Sequence, residues 1–295
     1  MALSVTICLC TFRRNSIAAT LASIGRQQAV GPEALPVIVV DNDEDSRGRE
    51  RIEAAAAVAG VELLYVHAPA RNISNARNAA LDSVETRWAA FIDDDEEAAQ
   101  DWLAELMAGR AAAEAVIGRS HALYGPDLPS WAADCDFHSN RIAGRADNAY
   151  TSNALLDMVF VNAHHLRFRL DLGQTGGEDT MFFRALAEAG GRIAYCPQSV
   201  VFEPVPAQRA TMRWVLRRRF RAGQTHGLVL QEHDCRGFDR LAFSAGLKLT
   251  AAAVMAVATI PGTVASRRWA ARAALHAGAL AYRVRPSILR EYGGT

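Results

Sequence analysis

Trp88-Ala89-Ala90-Phe91-Ile92-Asp93-Asp94-Asp95-Glu96-Glu97 decides how the chain is read, because five apolar residues run directly into five carboxylates. The apolar half predicts a short strand buried on both faces, as in a parallel sheet. The acidic half cannot share that burial: crowded carboxylates repel one another and lose hydration at high cost. It belongs at the open end of a sheet, where open α/β folds bind ligands. Strand alternation puts Asp93 and Asp95 on one side and turns Asp94 away. Two carboxylates side by side suit a hard divalent cation that itself holds a phosphate. The alternative is a solvated acidic turn before a helix, with Glu96, Glu97 and Asp101 favoured by the helix dipole.

Outward from that stretch, β-branched runs at Leu3–Leu9, Pro36–Val40 and Val61–Val66 predict three more strands. Ile17, Leu21 and Ile24 mark a helix between the first two, and Asn72–Leu81 reads as another, starting near Asn72 or Ser74. Alternating strands and helices predict an α/β fold with a mostly parallel, nucleotide-binding sheet. No Gly-x-Gly-x-x-Gly follows the first strand and no Gly-Lys-Ser/Thr occurs anywhere, which argues against dinucleotide oxidoreductases and P-loop enzymes. Downstream, Trp102–Met107 predicts a helix, Ala115–Gly118 a strand and 120–150 an irregular excursion. Asn153–Val161 looks strand-like, and Leu170–Gly177 is a glycine-containing loop. Glu178 and Asp179 open a helix over Thr180–Ala189, and Arg192–Tyr195 and Ser199–Phe202 are short extended segments.

Half of the 295 residues are hydrophobic, which is enough for a substantial core. Net charge is zero but unevenly distributed: residues 1–204 carry 17 arginines against 28 acids, and 205–295 carry 14 arginines and Lys248 against four acids. A basic tail of that kind suits nucleic acid, anionic lipid or the acidic body itself. The five cysteines show no zinc spacing, which predicts reduced thiols in a cytoplasmic protein, and no signal-peptide pattern opens the sequence. Leu241–Val264 approaches the roughly 20 apolar residues of a bilayer crossing, and an Ala-rich segment follows at Trp269–Tyr282. With the flanking arginines, the pair predicts helices lying on or dipping into an anionic leaflet, with a hairpin through the bilayer and soluble packing as the alternatives.

Five segments in order carry a specific likeness: Val5–Arg13, Val39-Val40-Asp41-Asn42, Asn75-Ala76-Arg77-Asn78, Phe91–Asp95 and Gly176-Gly177-Glu178-Asp179. Together, over roughly residues 3–225, they resemble family 2 glycosyltransferases of the GT-A fold, especially bacterial exopolysaccharide and succinoglycan-type glucosyltransferases. The resemblance implies a nucleotide-sugar donor held by Thr11, Arg13, Asp41, Asn42, Arg77, Asp93 and Asp94. It implies Mn2+ or Mg2+ on Asp93 and Asp95, with Glu203 standing where relatives often carry a histidine ligand. Asp179 is the implied general base, although a helix N-terminus makes a carboxylate less basic. Glu178 would face the acceptor, and Arg217, Arg218 and Arg221 the acceptor or a phosphate.

The chain is therefore expected to be a GT-A domain over 1–225 with a basic, apolar helical region over 226–295. Its expected activity is inverting, metal-dependent transfer from a UDP-sugar, with UDP-glucose the leading donor, to a lipid-linked saccharide. The expected place is the inner face of the cytoplasmic membrane, with no nucleic-acid partner. A metal-dependent nucleotidyltransferase and a non-enzymatic membrane or nucleic-acid adaptor are the competing readings.

Overall fold

A computed structural model describes residues 5–27, 34–140 and 149–290. The chain forms two compact units. One comprises the chain up to Leu123 with Ser139–Pro204, and the other comprises Tyr124–His138 with the described residues from Val205 onward.

The first unit is built on an eight-stranded sheet. In chain order its strands are β1 (Val5–Thr11), β2 (Pro36–Asp41), β3 (Glu62–His67), β4 (Trp88–Ile92), β5 (Glu97–Ala98), β6 (Ala115–Leu123), β7 (Asn153–Asp157) and β8 (Ile193–Pro204). They lie in the order β3-β2-β1-β4-β7-β6-β8-β5. Parallel ladders join β1 to β2 and β4, β2 to β3, and β6 to β8, while β7 runs antiparallel to both its neighbours and β5 to β8.

Every residue of β4 is buried, as its unbroken apolar run requires. Alternate residues feed two cores. Ile7, Leu9, Val37, Val39, Ala90 and Ile92 pack under α1 (Ile17–Gly25), α2 (Arg49–Ala59) and α4 (Trp102–Gly109). Cys8, Ile38, Val40, Ala89 and Phe91 pack under α3 (Ile73–Ser83), α6 (Met158–Ala163) and α7 (Glu178–Glu188).

The structure departs from the sequence reading of the secondary structure at several places. The strand at Asn153 stops at Asp157, whose carboxylate accepts the Val159 N–H at 2.9 Å and so starts α6. The two extended segments after Gly191 are one strand, β8, paired along β6 with an irregularity between Ile117 and Arg119. The excursion after residue 120 is partly ordered: β6 continues to Leu123 and α5 (Ser130–Cys135) follows, while 141–148 lie outside the described residues. Finally, α2 escaped the sequence reading because only Ile52 and Ala56 mark its buried face.

In the second unit, α8 (Met212–His233), α9 (Cys235–Ala258) and α10 (Val264–Val284) form a helical bundle. The boundary read at 225/226 falls inside α8, a continuous helix whose cap is Thr211. Gly223 and Gly278 let α8 and α10 touch backbone to backbone: a Cβ on either would overlap a carbonyl of the other helix, at Leu275 or Phe220. Cys235–Ala258 is long and apolar enough to cross a membrane, by length and composition.

Candidate active site

The carboxylates sit where β4 ends. At Ile92 the chain leaves the sheet and turns, with the Glu96 N–H donating to the Asp93 carbonyl at 3.2 Å. Strand alternation therefore stops at Ile92 and does not place the aspartates. Asp94, expected to face away, is the buried one and accepts from the Thr11 hydroxyl at 2.6 Å. Arg14 bridges it to its neighbour, with Nε 3.5 Å from Asp94 and Nη1 donating to Asp95. Asp93 turns instead toward Arg77, 3.8 Å away.

Glu96 is not a solvated acid at a helix start. It is buried and accepts from the Ser120 hydroxyl at 2.7 Å and from the Asp93 N–H at 3.2 Å, which braces the turn from beneath. Lost hydration, opposed by Arg77 but reinforced by Asp95, Asp179 and Asp94, pushes the half-exposed Asp93 up to about 7. Burial likewise lifts Asp94 to about 6, against Arg14 and the Thr11 hydroxyl, and lifts Glu96 well above the carboxylate range. Among the described residues four carboxylates, Asp93 to Glu96, meet two arginines here, Arg14 and Arg77, and that surplus of acid groups suits a cation.

The second carboxylate pair opens α7. Gly176 and Gly177 precede it with φ of 80° and 99°, a left-handed path that L side chains resist. Arg77 donates to Glu178 at 2.6 Å and to Asp179 at 2.8 Å, and the Thr151 hydroxyl donates to the same Asp179 oxygen at 2.9 Å. The guanidinium is buried and lies over the Phe168 ring, 5.6 Å from its centroid. Its own pKa is raised, with Asp179, Glu178 and Asp93 outweighing the effect of burial. Glu178 Oε2 is buried with no hydrogen-bond partner, and burial followed by Asp179, against Arg77, pushes Glu178 up to about 7.

The expected donor residues divide. Thr11, Arg13 and Asp41 line a recess of about 270 Å³ at the ends of β1 and β2, together with Asp43, Arg51 and Ile52. Asp41 is held there by the Asp43 N–H at 3.0 Å and the Tyr65 hydroxyl at 2.8 Å, and Arg13 pairs with Asp43 at 2.6 Å. Asn42 instead braces the start of α3, accepting the Asn72 N–H at 3.3 Å. Arg77 is also drawn elsewhere: its guanidinium faces Glu178 and Asp179.

Glu203 lies near the end of β8, opposite Ala122, close enough for its charge to act on Glu96. Among the described residues no group of three or more His, Cys, Asp or Glu side chains is arranged to hold a metal unaided. Arg217, Arg218 and Arg221 belong to α8 in the second unit. There Arg218 covers the Trp214 ring at 5.1 Å, and His138 stacks on that ring at 5.1 Å. Sequence reasoning missed Arg14, Glu96, Asp43 and Tyr65 as parts of the site. Arg14 had a visible signal as the second of two arginines directly after the first strand, and Glu96 and Asp43 as members of acidic runs at strand ends; Tyr65 had none.

Residues 6–164 match the model of Glycosyl transferase family 2. The succinoglycan biosynthesis protein ExoM of Rhizobium meliloti (strain 1021) is 41% identical over 298 residues, covering 99% of this chain and 96% of that protein. Among solved structures, the mannosyltransferase PcManGT from Pyrobaculum calidifontis, in complex with GDP-Man and Mn2+, superposes with a TM-score of 0.63 at 20% identity. That match covers 96% of this chain and 87% of the other. S. aureus TarS 1–349 in complex with UDP-GlcNAc gives 0.55 at 13% identity, covering 95% and 91%. At such identities these likenesses establish the fold.

Proposed function

Because the chain belongs to glycosyltransferase family 2 and is a glycosyltransferase of GT-A fold, we propose an inverting transfer from a UDP-sugar to a lipid-linked saccharide in exopolysaccharide assembly. The observation that carries this reading is the meeting of the Asp93–Asp95 turn and the Glu178–Asp179 pair at one arginine, Arg77. A metal-facing edge and a proton-accepting edge held beside one another are what sugar transfer needs.

The donor set suits a cation that brings its own phosphate ligands. Two carboxylates, Asp93 and Asp95, in a turn with a surplus of acid groups fit Mn2+ or Mg2+, which keeps few protein ligands and takes the rest from a diphosphate. Bound there, the ion would supply Lewis-acid neutralisation of the leaving nucleoside diphosphate. The relatives support this, since PcManGT was solved with GDP-Man and Mn2+ and TarS with UDP-GlcNAc. The recess of Thr11, Arg13 and Asp41 takes the nucleoside, with Asp41 pre-aligned by Tyr65. UDP-glucose remains the leading donor from the succinoglycan-type resemblance, and the relative's name points to the same polymer class.

Asp179 is the base. It takes the proton of the acceptor hydroxyl as that oxygen bonds to C1, while the C1–O bond to the diphosphate breaks and its electron pair leaves with the nucleotide. Glu178, expected at the acceptor, is instead buried against Arg77 and orients the loop beside the base. The acceptor's lipid would sit at the inner leaflet, with the basic α8–α10 bundle resting on the anionic surface.

Titration calorimetry tests the donor side: UDP affinity should depend on Mn2+, and Asp95→Ala should remove that dependence. Equal affinity with and without Mn2+ in the unaltered protein would defeat the metal reading. A panel of nucleotide sugars, offered with membrane lipid extract, identifies the donor. Asp179→Asn should keep UDP affinity and lose turnover, and retained turnover would remove Asp179 as base.

A further inference from the structure

The Asn75-Ala76-Arg77-Asn78 segment, whose arginine is expected at the donor, does something different in the folded chain. We infer that Arg77 is a positioning residue for the base, fixing Asp179 against the carboxylate turn, and is not a ligand of the nucleotide. This rests on Asp179 being the base and adds the group that sets its place.

Four observations support it. Arg77 directs Nη1 to both Glu178 and Asp179, leaving Nη2 toward Asp93. The side chain is buried, so its donors are aimed by the fold rather than by a ligand. The Phe168 ring supports the guanidinium plane, and Phe168 is itself clamped to α3. Its N–H donates to Asn78 Oδ1 and its carbonyl accepts from Asn78 Nδ2, both at 2.8 Å. One turn earlier, the capping residue Asn72 donates to the Leu170 carbonyl at 2.7 Å, and the Ile73 N–H donates to Gly173. Helix α3 therefore holds the 168–179 segment at three levels, and Arg77 is the level that reaches the reacting carboxylate.

The chemistry explains why arginine stands there. Three carboxylates from two segments, the Asp93 turn and the start of α7, converge on one cation, and a planar, multi-donor group meets two of them with Nη1 while Nη2 faces the third. Thr151 completes the fixing of Asp179 from β7's approach. A lysine would keep the charge but lose the fork, so it should hold the segment together while letting Asp179 drift.

The test separates binding from turnover in Arg77→Ala and Arg77→Lys. UDP affinity with Mn2+ is read by calorimetry, and kcat with the nucleotide sugar that the unaltered enzyme transfers to membrane lipid extract. Misplacing a reacting group by about an ångström costs roughly 10²-fold in rate, so Arg77→Ala should lose about that much kcat. Its UDP dissociation constant should stay within about twofold, the pattern of a group acting only in the transition state. Free guanidinium should restore part of the turnover of Arg77→Ala and none of that of Asp179→Asn. Arg77→Lys should fall between the two, and it decides by the same readouts if Arg77→Ala does not fold.

A tenfold or larger loss of UDP affinity with kcat kept would make Arg77 a donor ligand and overturn the inference. Unchanged kcat in both variants would also overturn it. If Asp179→Asn retains turnover, or the unaltered enzyme transfers no sugar at all, the proposed function fails first and this inference fails with it.

Discussion

Helix α9 presents a stripe of large apolar side chains that the bundle does not cover. Phe243, Leu247, Val254 and Val257 are 80%, 64%, 61% and 75% exposed, while Leu241, Ala245 and Ala252 face inward. If that stripe lies in the interfacial layer of a membrane, replacing Phe243, Leu247 and Val257 by serine should weaken binding in a calculable way. Complete burial of such a side chain is worth about 1.5–3 kcal/mol. Immersing about half of each exposed surface then gives about 2–3 kcal/mol for the three, or roughly 30- to 150-fold in partitioning. The electrostatic share comes from a region, 205–295, with 15 basic residues against four acids. Each base near an anionic surface adds about 1 kcal/mol. The assay is co-sedimentation with phosphatidylglycerol-containing and pure phosphatidylcholine vesicles at low and high salt. The unaltered protein should prefer the anionic vesicles and lose that preference in salt. The triple variant should fold with nearly unchanged stability, because its side chains contact little of the protein, yet bind far more weakly. Lys248 near the middle of α9 argues for a helix that lies on the surface rather than crosses it. Equal vesicle binding by the triple variant and the unaltered protein would refute the reasoning.

Two further outcomes follow from the packing and the charges. Folded Glu178 keeps its proton to about 7, against an ordinary value of 4.5, so the folded chain holds the extra proton between those values. Stability should therefore fall as pH rises through that window. Glu178→Gln should make the fall in thermal midpoint shallower without abolishing it, since Asp93 and Asp94 act in the same direction; an unchanged slope counts against the burial of Glu178. Gly278→Ala should cost about 1–3 kcal/mol by overpacking, because its Cβ meets the Phe220 carbonyl. Gly246→Ala in α9 meets nothing and should gain up to about 1 kcal/mol from helix propensity. Equal denaturation midpoints for the two variants would contradict the backbone contact between α8 and α10.

Local pattern carried much of the architecture. The Trp88–Ile92 run announced a strand buried on both faces, the β-branched runs gave β1 to β3, and Asn72 was visible as a helix cap because capping depends on neighbours within four residues. The order of five short motifs was enough to reach the family. What escaped was in part local, the split of Asn153–Val161 into strand and helix at the Asp157 cap, and in part long-range, the fusion of two short segments into β8 against β6. The site divides the same way. Residue types and spacing put Asp93 and Asp95 under suspicion, and the family resemblance added Asp179. Only the folded chain, joining positions from 24 to 102 residues apart, turned Arg77 onto Glu178 and Asp179, seated Glu96 under the turn and brought Arg14 to Asp94. Periodicity and capping are written into near neighbours, whereas the partner of a buried charge depends on which distant segments the core brings together.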